Sequence, residues 1–515
     1  MLSVQTLSLQ KHKCRKLSRT TLFFSLLATL PMKNTVFASE NDTPLGQIVP
    51  GLTLTGELRA RYEAWNFFEP GLPSVTTPTE HEYDFWATRI RLGLKLETDW
   101  VDGLVQAQHV GLYDLPSNAF APAVGPLGLG GAYYRENQSR SKSLSDLHLQ
   151  ELWLNFKLGW LGAPGLNLKL GRFGFAEGLE YKTGDKKFDF LKTTRVSQRL
   201  LGTFDFTHAG RRFDGFSVVY DKPDYNFTAT GVRPTQGGFN IDVQNQISAL
   251  DVFYTALTSK RDAILPGTEA RLFYLYYNDA RNVRVVDNRP AAQRSSANDD
   301  NVRIHTLGTH TLTVLPAGPG QIDAMVWGAY QFGDWAEQDH RAWAGTAELG
   351  YQFPQLPLKP WLRGGYTRTS GDKDATDGRH ETFFQVLPTV RLQAMIPFYN
   401  LMNIEDIYGQ FIIAPLENVQ VQMNYHHLAL STPNDLFYAG AGATSRSGSF
   451  GFFGRSGGES RDVGQLIDVS LSHKLNDHVS WNMYYGHVIG GTAMGNAYTG
   501  NKNADYGFVE VQFNF

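Results

Sequence analysis

Apolar and polar residues alternate with a period of two in one segment after another of this 515-residue chain, each segment near ten residues long and bounded by turn-forming residues. Candidate segments start near Leu52, Tyr83, Gly103, Leu147, Gly165, Phe213, Tyr225, Ser248, Glu269, Arg303, Gln321, Arg341, Leu358, Asn403, Val419, Val463, Val479 and Asp505. A strand of this kind has one greasy and one wet face. No long apolar runs that could build a soluble core of matching size accompany it. Mean hydropathy is negative although 13% of residues are aromatic, as when every second strand residue meets water. The pattern predicts an all-β fold, a transmembrane antiparallel barrel of about 18 strands in a single domain.

The two ends fit that expectation. Tyr506 to Phe515 sets the apolar Phe508, Val509, Val511 and Phe513 against Glu510, Gln512 and Asn514 and ends on an aromatic residue, like a closing strand. Residues 1–38 carry Lys11, Lys13, Arg15, Lys16, Arg19 and Lys33 without an acid, then the apolar run Leu22 to Leu30, then Val36-Phe37-Ala38. This reads as a secretory signal peptide cleaved near Ala38, before Ser39, with 39–515 as the barrel. Its apolar core is far short of the roughly 20 residues that a spanning helix needs.

Removing those six cations from the formal charge of -3 leaves a mature chain near -9, which argues against nucleic acid as a partner. The one cysteine, Cys14, leaves with the signal, so neither a disulfide nor a thiol site is expected.

Eighteen strands put both termini on the periplasmic side. The short links at 99–102, 160–164, 354–357, 415–418 and 474–478 then fall on that side, and the long links at 114–146, 174–212, 279–302, 369–402 and 429–462 fall on the other. Short inner turns and long outer loops are the habit of outer-membrane barrels. Two strand-like stretches, Val196 to Phe206 and Phe384 to Met395, are set aside because either one alone breaks the parity.

Along the chain stand Leu149-Gln150-Glu151-Leu152-Trp153-Leu154-Asn155-Phe156 with Leu170-Gly171-Arg172-Phe173, then Arg211-Arg212-Phe213-Asp214-Gly215, then Gly364-Gly365-Tyr366-Thr367-Arg368-Thr369-Ser370-Gly371-Asp372 with Thr382-Phe383-Phe384. In order and spacing these blocks resemble the alginate export family of outer-membrane proteins. Tyr425-His426-His427, Gly464-Gln465-Leu466-Ile467-Asp468 and Phe508-Val509-Glu510 match in character; Phe173 departs, a polar residue being common there. The resemblance implies an eighteen-stranded porin that lets an anionic exopolysaccharide such as alginate cross the outer membrane, with periplasmic export partners. It also points to Arg172 and Arg368.

Alternation alone assigns faces. Leu52, Leu54 and Leu58 oppose Thr53, Thr55, Glu57, Arg59 and Arg61; Ile90, Leu92, Leu94 and Leu96 oppose Arg89, Arg91, Lys95 and Glu97. An arginine on the lipid side costs roughly 2–4 kcal/mol at the bilayer midplane, so the arginines are expected to look into the lumen. Arginine's planar fork meets a carboxylate bidentately, which suits a polyuronate with one carboxylate per sugar. The expected substrate path is Arg59, Arg61, Arg89, Arg91, Lys169, Arg172, Arg363 and Arg368, with Glu151 and Asp468 holding arginines in place. Strict alternation puts Arg172 beside Leu168 and Leu170 on the lipid face, and a bulge at Gly171 would turn it inward. The plainer reading of any one of these arginines is a brace that pairs with a lumen carboxylate.

Other signals are weaker. Asp372-Lys373-Asp374-Ala375-Thr376-Asp377-Gly378 resembles a calcium loop with its third acid one place late and no closing glutamate. No histidine pair has metal-ligand spacing, and no nucleophile elbow, phosphate loop or dinucleotide fingerprint occurs, so neither an enzyme nor a cofactor is expected. The tryptophans read as interface girdles and wall packing. The leading expectation is a channel for an anionic polysaccharide, with the loop at 174–212 folded inward as a gate; the alternative is an uptake porin for small organic anions. A hydrolase acting at the rim would need a nucleophile or an acid–base pair there. Outer-membrane lipid and lipopolysaccharide are expected neighbours.

Overall fold

The computed structural model describes residues 49–71, 79–121, 125–137, 141–389 and 394–515. The expected signal peptide and its cleavage site lie outside these residues. Of the unit Met1–Pro50 only residues 49 and 50 are described; Gly51–Phe515 form the other compact unit.

Period-two alternation gives eighteen long strands. They are β1 (Leu52–Asn66), β2 (Glu82–Glu97), β3 (Val101–Tyr113), β4 (Leu144–Lys157), β5 (Leu166–Phe173), β6 (Phe213–Asp221), β7 (Tyr225–Pro234), β8 (Leu250–Ser259) and β9 (Thr268–Asp279). The second half adds β10 (Val302–Ala317), β11 (Gly320–Trp335), β12 (Gln338–Gln352), β13 (Trp361–Thr369), β14 (Ile404–Leu416), β15 (Val419–Leu430), β16 (Asp462–Lys474), β17 (Val479–Gly490) and β18 (Ala504–Asn514). Each strand pairs antiparallel with its chain neighbour, and β18 returns to β1 with Glu510 opposite Arg61. Closure leaves no edge of unpaired N–H and C=O groups, which lipid would not tolerate.

The two faces divide as the alternation requires. Leu54, Leu58, Ile90, Leu92, Leu94, Leu257 and Leu272 are exposed on the outer wall, whereas Arg59, Arg61, Arg89 and Arg91 are buried in the interior. In β18, Phe508 differs from the expectation that it shares the greasy face: it is 5% exposed and lies inward, its ring 4.8 Å from the guanidinium carbon of Arg61.

The five short links expected on the periplasmic side connect β2–β3, β4–β5, β12–β13, β14–β15 and β16–β17. The five long links all lie at the opposite end. One outer link is short: Ala336 and Glu337 alone join β11 to β12, with Ala336 at φ 50° making the reversal.

The stretches 196–206 and 384–395 do not enter the wall. Residues 390–393 lie outside the described residues, but Leu201 and Leu387 bridge in parallel, with Gly202 N–H donating to Leu387 O at 2.9 Å and Leu387 N–H to Leu200 O at 2.8 Å. Strand-like composition here serves a pairing between two outer loops. Ahead of it, Asp185 caps a short helix, Lys186–Leu191, by accepting from Phe188 N–H at 2.9 Å, and one wide turn, Lys192–Val196, follows.

Candidate functional site

The register of β1 and β2 sets Arg59 directly opposite Arg89 and Glu57 opposite Arg91. Like charges so placed repel, and what relieves them comes from the long link 174–212. Its backbone crosses in front of this wall as a strap. Arg59 donates to the carbonyls of Asp205 at 3.0 Å and Thr207 at 2.9 Å, Arg61 to that of Phe206 at 2.9 Å, and Arg89 to that of Asp205 at 3.0 Å. Arg91 donates to the Asp205 carboxylate at 2.7 Å, and Arg212 reaches the same oxygen at 3.2 Å. Wall carboxylates complete the set: Glu57 with Arg89 at 2.6 Å, Glu510 with Arg61 at 2.6 Å and Glu63 with Arg61 at 3.3 Å.

Asp205 is the joint of this cluster. Desolvation alone would raise its pKa, but the guanidinium groups of Arg212, Arg91 and Arg89 outweigh it and hold the carboxyl well below its ordinary range. Three residues on, His208 places Nε2 3.0 Å from Glu63 and Nδ1 3.3 Å from Arg59, between the rings of Phe85 and Tyr133. Burial pushes it down to about 3, so the ring is neutral, receiving from Arg59 and donating to Glu63.

The other end of the strap docks across the lumen on β12–β14. Arg195 grips Glu348 with Nε at 2.9 Å and Nη2 at 2.8 Å, and Arg363 reaches the same carboxylate at 2.9 Å and Asp323 at 2.9 Å. Lys187 lies 3.3 Å from Asp323, and Lys192 pairs with Glu269 on β9 at 2.9 Å. The strap is therefore latched to facing parts of the wall, at Arg195 and Lys192 through side chains that are almost wholly buried and at Asp205 through a half-buried one.

The ten residues singled out from the sequence fall into three groups. Arg59, Arg61, Arg89, Arg91 and Arg363 face inward and are engaged as above. Glu151 faces inward and accepts from Arg212 at 2.7 Å; Lys169 faces inward with its ammonium 4.1 Å above the Trp153 ring. The other three require correction. Arg172 lies opposite Leu152, an outward residue, and pairs with Asp214 at 2.6 Å. The register through Gly171 is unbroken, and the irregularity lies instead in β4, where Gln106 faces Glu151 and Ala107 faces Leu149. Arg368 sits between the buried Thr367 and Thr369, so it also points outward, 3.7 Å from Glu405. Asp468 is buried but accepts from Asn424 at 2.6 Å, and among the described residues it pairs with no arginine.

Asp205, Arg195, Arg212 and Glu348 were not singled out as path residues. Arg195, Arg199 and Arg212 in one link are the available sign that the link binds the wall carboxylates Glu348 and Glu151, while Arg211 donates to the Ala441 carbonyl of another loop. The segment 372–378 is a run of turns in which Asp372 accepts from Asp374 N–H, Asp374 from Thr376 N–H and Asp377 from Arg379 N–H.

Residues 129–508 match the family described as alginate export. The chain belongs to the alginate export family. No curated protein matches it. Among solved structures, this family member is similar to the outer membrane protein OpdK of Pseudomonas aeruginosa, with 10% identity over 90% of this chain and 99% of that one and a TM-score of 0.53. OccK9 (OpdG) of the same organism gives 10% identity, 90% and 98% coverage and 0.54. OccAB4 of Acinetobacter baumannii gives 9%, 90% and 98%, and 0.54. At such identities the likeness is one of fold, and it agrees with the eighteen-strand closure. The alginate export chain is an outer-membrane channel.

Proposed function

We propose that the channel passes an anionic polysaccharide of the polyuronate class, by conduction without catalysis, and that Arg59, Arg61, Arg89, Arg91 and Arg363, with Lys169 below them, form its path. The observation that carries this reading is what occupies the guanidinium groups: three backbone carbonyls and a single carboxylate of the strap. Carbonyls are neutral acceptors, and bonds from guanidinium to an ionised carboxylate are about twice as strong as neutral ones. An incoming row of uronate carboxylates therefore competes well for donors that the strap holds only with carbonyls, while Glu57, Glu63 and Glu510 keep each site weak enough to release.

In this account the strap at 174–212 is the gate, and the polymer's own synthesis behind the barrel supplies the drive, delivered through periplasmic partners. Secretion through a signal peptide cleaved near Ala38 belongs to the same proposal.

Uptake of small organic anions is the second reading. It is favoured by the strap's attachment to both sides of the lumen, since a small solute asks for less displacement of a strap held at both ends than a polymer does. Liposomes loaded with the purified protein separate the two. Export of a polymer predicts that oligouronates of several sugars block the current of small anions at micromolar levels; uptake predicts that monomeric carboxylates permeate and that longer oligouronates neither enter nor block.

A further inference from the structure

Two grooves open on the lipid-facing side of the wall, near the outer ends of the strands and eight strands apart. The first, of about 570 Å³, lies over β6–β9. Its floor is Gly231, which the register places between Phe216 on one side and Phe253 on the other, both with exposed rings. A Cβ at Gly231 would stand 2.6 Å from the Phe216 ring, so the edge of that ring takes the space over the glycine and the slot runs on the other side, along Phe253 and Tyr276. Two residues closer to the outer surface than Gly231, the side chain of Arg233 is 45% exposed and, among the described residues, paired with the equally open Asp251 at 2.6 Å.

The second groove, of about 340 Å³, repeats the arrangement on β14–β16. Ala429 is the small residue here, with Ile407 exposed beside it and Arg461 above, its side chain 48% exposed and 2.7 Å from Glu405. Exposed pairs of this kind hold each other weakly; Arg461 Nε also donates to Leu430 O at 2.7 Å and Glu405 is shared with Arg368, so the Nη2 end of Arg461, like the guanidinium of Arg233, is available to a stronger anion.

We infer that each groove seats a phosphorylated glycolipid of the outer leaflet, an acyl chain lying along Phe253 in the first or over Ala429 in the second and a phosphate on Arg233 or Arg461. Three features select this occupant. The face is covered by membrane, the arginines sit at the end that carries the long loops, and a slot lined by aromatic and aliphatic side chains below a guanidinium matches a chain joined to a phosphate. The neighbouring carboxylates of Asp251 and Glu405 would hold the same phosphates through divalent cations. This site is separate from the lumen and does not depend on what the channel conducts.

The test uses the full mature protein in detergent, with diphosphoryl lipid A as probe and native mass spectrometry as readout. Two retained molecules per barrel are expected. The double variant Arg233→Ala/Arg461→Ala should weaken binding about tenfold or more, equivalent to ~1.4 kcal/mol. Ala429→Leu, which fills the second slot without altering charge, should abolish one of the two bound molecules. Arg341→Ala, an exposed arginine paired with Asp339 and outside the lining of both grooves, should leave binding unchanged. The gel shift of unheated protein confirms that each variant is a closed barrel. Unchanged retention by the double variant, or equal retention of phosphatidylglycerol at the same concentration, would overturn the assignment.

Discussion

Arg91 and Asp205 lie 114 residues apart in the chain and 2.7 Å apart in the barrel. One belongs to the wall and the other to the strap, so this contact fixes where the outer link crosses the lumen.

Replacing Asp205 by asparagine keeps the shape and removes the charge that gathers Arg89, Arg91 and Arg212. Losing a partner of a buried pair costs about 3–5 kcal/mol, and since the Asp205 side chain is 36% exposed the loss here should be nearer ~1–2 kcal/mol. The strap should detach more often while the barrel stays closed. Single-channel records of Asp205→Asn should show larger or more frequent openings than wild type; identical traces would mean that the carboxylate does not latch the strap.

The latch should also be insensitive to pH across the physiological range. The folded-state pKa of Asp205 is depressed, so its contribution is complete above the ordinary carboxylate range and is lost only as pH falls through the lowered value. Conductance should be flat from pH 8 down to about 5, and a transition between pH 6 and 7 would point to a different titrating group.

The docking of the strap on β12–β14 depends on Glu348, which meets Arg195, Arg199 and Arg363. Glu348→Gln leaves those buried cations short of a counter-charge and should lower stability by about 3–5 kcal/mol. The temperature at which the folded band converts to the unfolded one on a denaturing gel should fall, and Glu348→Asp should recover part of it.

Outside the membrane a pair of carboxyls behaves oppositely. Burial raises Asp372 to about 7 and Asp435 to about 6, and Asp435 accepts from the Asp372 N–H at 3.0 Å, joining the loop after β13 to the one after β15. Raised acids stabilise the fold fully below their unfolded pKa, and that contribution disappears as pH climbs through 6 to 7. Tryptic cleavage at the exposed Lys373 and Arg379, normalised to Asp372→Asn/Asp435→Asn at each pH, should therefore accelerate between pH 5 and 8 in wild type. A constant ratio would count against the pair.

Because Arg172 and Arg368 face outward, alanine at either should change oligouronate block by less than about twofold, whereas Arg89→Ala should weaken it by about tenfold, the cost of one charge-assisted bond. Equal effects at Arg172 and Arg89 would return Arg172 to the lumen.

The wall was legible because lipid and water impose a period of two on every strand, a local signal that fixed all eighteen strands and the inward aim of Arg59, Arg61, Arg89 and Arg91. Where alternation and family likeness disagreed, at Arg172, alternation was the better guide, since only a bulge could have overridden it and the register there is continuous; Arg368, at the end of its strand, also lies in continuous register and faces outward. The strap's partners were not legible. Arg59 and Asp205 meet over 146 residues of separation, and a loop's length says that it is long without saying what it touches. The stretches around Leu201 and Leu387 carried strand-like composition for the same reason: their partner was each other.

Competition between carboxylates and the strap for the guanidinium groups of one wall can be read from single channels recorded in planar bilayers under a salt gradient, with and without oligouronate. Anion preference, stepwise block by oligouronate, and loss of both in Arg89→Gln/Arg91→Gln are the expected results. Cation preference that ignores oligouronate and is unaltered by that double substitution would contradict it.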